Sequence, residues 1–204
     1  MIQLRRIQQK PLKTLLLGLV FVMTTQILTA CVPLAIGTAT VTAVDLYMER
    51  RTVKQSVDDN TLELKLRKEY LSDEKLGSAV NISTTIINGI VLLTGEVHND
   101  EQRQYAEKLA RSYIDTREVV NELELSGQTN MTSRANDSYI TGKVKSKLVR
   151  ADGVPSTNIK VVTERGKVYL LGLVTHPEAE AAVDAARSVS GVTHIVKVFE
   201  YIDE

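Results

Sequence analysis

Residues 81–97 read Asn81-Ile82-Ser83-Thr84-Thr85-Ile86-Ile87-Asn88-Gly89-Ile90-Val91-Leu92-Leu93-Thr94-Gly95-Glu96-Val97, and the pattern returns 77 positions later between Asn158-Ile159 and Val174. Ile82, Thr84 and Ile86 alternate ahead of Asn88-Gly89, and Val91, Leu93, Gly95 and Val97 alternate after it. A period of two puts every second side chain on one face of a strand. Asn-Gly is the pair most at ease with the positive φ angles of a two-residue hairpin turn. The stretch is therefore a β-hairpin, and its copy turns at Arg165-Gly166.

Working outward, the period changes. Leu62, Leu66 and Tyr70 recur every fourth residue ahead of the first hairpin, as do Ile140, Val144 and Leu148 ahead of the second. Each set marks one face of an amphipathic helix. A second helix follows each hairpin, signalled by Ala106, Leu109, Ala110 and Tyr113, and in the copy by Ala179, Ala182, Val183, Ala186 and Val189. Alanine there lets a helix lie close on a sheet. A last strand covers Val119 to Leu125, and His194 to Ile202 in the copy. Here the offset is 76, as Ala110-Arg111-Ser112 against Ala186-Arg187-Ser188 shows. Each repeat holds about 67 residues, longer than the roughly 20–50 of solenoid units, so the pair reads as two tandem domains. The expected fold class is α+β: two small α-β-β-α-β domains, each a three-stranded mixed sheet with two helices. The domains are expected at 58–125 and 137–204, joined by a Gly, Ser, Thr and Asn linker at 126–136.

The N-terminal part has a different character. Arg5, Arg6, Lys10 and Lys13 precede an apolar run from Leu15 to Ile27, which ends at Leu28-Thr29-Ala30-Cys31 with the one cysteine of the chain. The run is too short for a comfortable membrane span and right for a signal-peptide core. The four residues resemble a bacterial lipobox. That resemblance implies removal of a signal peptide at 1–30 and acylation of Cys31, with 31–57 as a lipid-anchored tether. Val32 and Pro33 follow where an inner-membrane retention signal would place aspartate, which favours the outer membrane and a domain facing the periplasm.

Without residues 1–30 the 25 basic residues become 21 against 25 acidic, a net charge near −4. A polybasic nucleic-acid binder is excluded on that balance. Residues 59–125 carry 8 basic and 13 acidic residues, whereas 137–204 carry 9 of each. The second domain is the better candidate for contact with an anionic bilayer.

The repeated Asn-Ile strand start, the Gly at the hairpin turn and the Leu-x-Gly of the second strand resemble BON domains. Together with the lipobox, Val57-Asp58-Asp59 and Asp137-Ser138-Tyr139-Ile140-Thr141, they resemble the dual-BON outer-membrane lipoproteins linked to envelope integrity and division. The first domain departs from the pattern in having Asp115-Thr116 where the second has Gly191-Val192. The resemblance implies binding of phospholipid at membranes and no known catalysis; no cofactor is expected, and the lipid expected is anionic. The residues point the same way at the helix of the second domain. After Asp137 it carries Lys143, Lys145, Lys147 and Arg150 without a further acid, and Tyr139 suits the headgroup level. The expected lipid-binding set is Tyr139, Lys143, Val144, Lys147, Leu148 and Arg150. Burial of Ile140, Val144 and Leu148 against the sheet is the competing role for the apolar members.

No Ser, His and Asp spacing, metal-ligand cluster or phosphate loop stands out. Asp58-Asp59, Asp73-Glu74 and Asp203-Glu204 read as solvated charge at element ends. An alternative to the lipid reading is a tethered adaptor for outer-membrane assembly or division proteins, using an open sheet edge to accept a partner strand.

Overall fold

The computed structural model describes residues 52–76, 81–127 and 130–202, all within one compact unit, Thr42–Glu204. The expected signal peptide, Cys31 and the tether up to residue 51 lie outside the described residues. The order is α1 (Val53–Ser72), β1 (Asn81–Ile87), β2 (Ile90–Val97), α2 (Asp100–Arg111) and β3 (Glu118–Leu125). Then follow α3 (Met131–Arg150), a 3-10 turn (Ser156–Asn158), β4 (Ile159–Glu164), β5 (Lys167–Val174), α4 (His176–Arg187) and β6 (His194–Tyr201). This is α-β-β-α-β twice. In each domain the hairpin strands are antiparallel and the last strand joins the second hairpin strand in parallel, giving two three-stranded mixed sheets.

Both first helices begin upstream of the expected limits. Thr52 caps α1 by accepting the Gln55 N–H at 3.1 Å, and Asn130 caps α3 by accepting the Ser133 N–H at 2.8 Å. Each side chain satisfies an amide that helix geometry would leave open, so helix extends into stretches read as tether and linker.

The hairpin turns have the backbone that their sequence asks for, with φ of 50° and 73° at Asn88 and Gly89 and 50° and 75° at Arg165 and Gly166. Gly95 meets a different demand. A Cβ there would lie 2.0 Å from the Asn81 carbonyl oxygen, and at Gly172 2.4 Å from that of Asn158. The repeated Asn and Gly mark where the start of one strand crosses close over the next.

Three apolar clusters hold the molecule together. Val91, Leu93 and Val97 of β2 pack under α1 and α2 with Leu62, Leu66, Tyr70, Ala106 and Ala110. Val168, Leu170 and Val174 of β5 pack in the same way under α3 and α4. The opposite faces of the sheets form the third cluster: Ile87 of β1 and Ile90 and Leu92 of β2 meet Tyr169 and Leu171 of β5 and Val198 of β6. The two sheets therefore lie face to face, with a helix layer on each outer side. This explains why Ile90-Val91-Leu92-Leu93 is apolar at every position: a central strand covered on both faces has no polar side to show.

Candidate functional site

A buried aspartate organises each domain. The Asp59 carboxylate accepts the Asn88 N–H at 2.7 Å and the Gly89 N–H at 2.9 Å, while Asp137 accepts those of Arg165 and Gly166, both at 2.9 Å. Both side chains are buried. Asp59 is therefore not the solvated charge expected from its place in the sequence: it lies inside α1 and binds the turn. The equivalence of Asp59 with Asp137, and of Leu62, Leu66 and Tyr70 with Ile140, Val144 and Leu148, sets a helix offset of 78 positions.

With Asp137 turned inward, the outer face of α3 carries no carboxylate. Tyr139 is 65% exposed, and the Lys143 ammonium lies 5.1 Å from the centre of its ring, a cation–π contact. Lys143 also donates to the Ser190 carbonyl oxygen at 3.5 Å, and Arg150 to that of Ser146 at 3.1 Å. Tyr139, Lys143, Lys147 and Arg150 line one open groove of about 520 Å³ together with Gly142 and Ser146 of the same helix and Ser188 and Ser190 after α4. Four of the six expected lipid-binding residues thus come together. The other two do not: Val144 and Leu148 are 0% and 1% exposed, in the core with Leu170 and Ala182. Their spacing of four from Ile140 makes them the sheet-facing stripe, and a residue cannot fill the core and dip into a bilayer together. The outer face instead offers Met131 and Val149, 82% and 71% exposed. Their signal was available as apolar residues on the opposite side of the helix.

The groove is electrostatically separate from the acidic part of the molecule. Glu96, Glu122 and Glu124 of the first domain face Arg165 and Lys167 of the second, with contacts of 3.2 Å for Arg165–Glu96 and 3.3 Å for Lys167–Glu122. Arg117 and Glu200 join the domains elsewhere at 3.0 Å. Three acids of the first domain are thereby paired with cations at the contact between domains. Near that contact, burial first, then Glu96 and Asp137, push the Glu164 carboxyl up to about 7.

Among the described residues no three His, Cys, Asp or Glu side chains gather to hold a metal, and no helix is long and apolar enough to cross a membrane. What the fold defines is a pair of BON domains: the BON family model matches residues 58–127 and 136–203, and the chain belongs to that family. Within it the chain is 37% identical to the outer membrane lipoprotein DolP of Haemophilus influenzae, over 86% of this chain and 91% of that protein, which places it among the dual-BON lipoproteins of the outer membrane. It is a lipid-anchored protein of that membrane. It is also similar to a 21 kDa hemolysin of Actinobacillus pleuropneumoniae, at 32% identity over 76% of this chain and 80% of that one. The osmotically-inducible protein Y of Escherichia coli is 28% identical over 68% and 70% of the two chains. Among solved structures, the C-terminal domain of CdsD, a structural protein of the Chlamydia trachomatis type III secretion system, covers 71% of this chain and 67% of its own. That pair shares 13% identity and a TM-score of 0.28.

Proposed function

We propose that the protein, acylated at Cys31 and facing the periplasm, holds anionic phospholipid through the outward face of α3 and so supports outer-membrane integrity. The observation that carries this reading is the groove at Tyr139, Lys143, Lys147 and Arg150, where α3 contributes cations and serines, Ser188 and Ser190 lie across from it, and no acid from α3 intervenes. Phosphate oxygens accept from ammonium and guanidinium donors, and the stems of those side chains spread over apolar surface while their heads stay wet. Tyr139 supplies an amphipathic ring for the interface. Met131 and Val149 take the place of Val144 and Leu148 as apolar contacts.

The test is sedimentation of residues 42–204, which contain all three cores, with vesicles of phosphatidylglycerol or phosphatidylcholine at low and high salt. Binding to the anionic vesicles alone, weakened by salt and lost when Tyr139, Lys143 and Lys147 are changed to Ser, Glu and Glu, is the expected result. Absence of binding in every condition would make the adaptor reading the one to pursue by crosslinking. In the full chain, Cys31→Ser is expected to abolish incorporation of labelled palmitate.

A further inference from the structure

The first domain presents a second face of the same kind as α3. Counted back by the helix offset of 78, Met131 and Val149 correspond to Val53 and Leu71, and Gly142, which lines the groove, corresponds to Leu64. On α1 the exposed apolar residues are Val53, Val57, Leu64 and Leu71, at 62%, 55%, 68% and 80%. At about 100° per residue they fall within roughly 40° of one another, on the side away from Leu62, Leu66 and Tyr70. Aliphatic residues aligned on one face of a helix, with cations interspersed, are the arrangement of an interfacial helix.

The charges of α1, mixed in sequence, are sorted in space. Asp58 pairs with Lys54 at 2.6 Å, Asp59 is buried under the turn, Glu63 reaches in toward the Ile86 N–H at 3.4 Å, and Glu69 accepts the Tyr113 hydroxyl. Lys65, Arg67 and Lys68 remain exposed on either side of the stripe. Of the domain's other acids, Glu96, Glu122 and Glu124 face the second domain, and on α2 Asp100 pairs with Arg103 and Glu107 with Arg111. A face of aliphatic tips bordered by cations is complementary to an anionic lipid surface.

We propose that the outward face of α1 is a second docking surface for an anionic phospholipid bilayer. Val57, Leu64 and Leu71 enter the boundary between headgroups and acyl chains, and Lys65, Arg67 and Lys68 meet the phosphates. Because α1 and α3 lie on opposite outer layers of the double sheet, one flat bilayer cannot hold both, and the domain pair bridges two lipid surfaces. The bridging rests on the lipid role of α3 proposed above; the α1 contact does not.

Two variants of residues 42–204 separate the faces: Leu64→Ser/Leu71→Ser and Lys143→Glu/Lys147→Glu, all at positions outside the apolar cores. Phosphatidylglycerol vesicles are followed by sedimentation for binding and by light scattering for clustering, with phosphatidylcholine as control. Wild-type protein is expected to bind and cluster. Each variant is expected to bind roughly tenfold more weakly, as removal of two partly inserted leucines or two phosphate contacts implies, and not to cluster. Binding and clustering by Leu64→Ser/Leu71→Ser equal to wild type would overturn the proposal. Complete loss of binding in Lys143→Glu/Lys147→Glu would overturn it too, while leaving the α3 reading intact. Unchanged binding in that variant, with complete loss in the leucine variant, would uphold the α1 surface and sink the α3 reading. A lipid-free dimer in sedimentation equilibrium that Leu71→Ser alone dissociates would assign the stripe to a second copy of the chain, and so overturn the bilayer proposal.

Discussion

At the scale of single residues, two carboxyl groups reward attention for opposite reasons. Asp137 accepts two backbone N–H donors inside the molecule. Asp137→Ala leaves both amides of the Arg165-Gly166 turn buried and unpaired, at a cost of about 2–4 kcal/mol. Urea denaturation should show that loss, and an effect below about 0.5 kcal/mol would show that water substitutes freely. Glu164 works the other way. Its carboxyl is held up to about 7, above the ordinary 4.5, so the folded chain favours its protonated form. Its stabilising contribution is full below the unfolded value and is lost as pH rises through the folded one. Between pH 5 and pH 8 the wild type should lose stability relative to Glu164→Gln by about 1–2 kcal/mol, with partial exposure holding the figure down. Parallel stability curves for the two proteins across that range would refute the assignment.

At the scale of elements, α3 shows what one helix can be asked to do twice over. Its inner stripe, Ile140, Val144 and Leu148, is core, and its outer face carries the tyrosine and the cations. The two roles separate by experiment. Val144→Ser should cost about 2–4 kcal/mol of stability, by opening a space and burying a hydroxyl. Lys147→Glu, on the exposed side, should leave the melting temperature within about 2 °C and weaken vesicle binding. Were Val144→Ser to keep full stability while losing only vesicle binding, the inner stripe would not be core. The helices, the hairpins and the repeat were legible in the sequence because each rests on a local period or turn pair: fours at Leu62, Leu66 and Tyr70, twos around Asn88-Gly89. The cations of the groove were legible because α3 after Asp137 has no acid to confuse them. The inward turn of Asp59, Glu63 and Glu69 was not, since an acid pointing in and an acid pointing out have the same letter. For Val144 and Leu148 the spacing of four from Ile140 allowed the core as well as the lipid role, and their burial assigns them to the core. Only the direction of the helix relative to its sheet decides which apolar stripe is spent on the core.

At the scale of the whole molecule, the decisive feature is the face-to-face contact of the two sheets, which no period within one repeat encodes. It uses Ile90 and Leu92 from one copy and Tyr169 and Leu171 from the other, so the repeats have diverged to become partners rather than duplicates. Ion pairs also cross between the domains, Glu96, Glu122 and Glu124 of the first meeting Arg165 and Lys167 of the second, and Arg117 of the first meeting Glu200 of the second. Burial ranks these pairs. The Glu96 side chain is 2% exposed where Arg165 meets it, whereas Arg117 and Glu200 are 55% and 26% exposed. An exposed pair gives back to water most of what it gains, so Arg117→Ala should cost under about 1 kcal/mol. Removing Arg165 is different, because a buried carboxylate loses a cation in a place where water cannot take over its role. Arg165→Leu should therefore cost about 3 kcal/mol or more, and Glu96→Gln in the same chain should recover a good part of it by removing the stranded charge. Because the pair sits between domains, the loss should appear as a lower temperature for one shared unfolding transition. If Arg165→Leu instead split calorimetric unfolding into two transitions while the wild type shows one, the ion pair rather than the apolar cluster would be what couples the domains. The six buried residues of that cluster predict the single transition, since neither sheet has another cover for them.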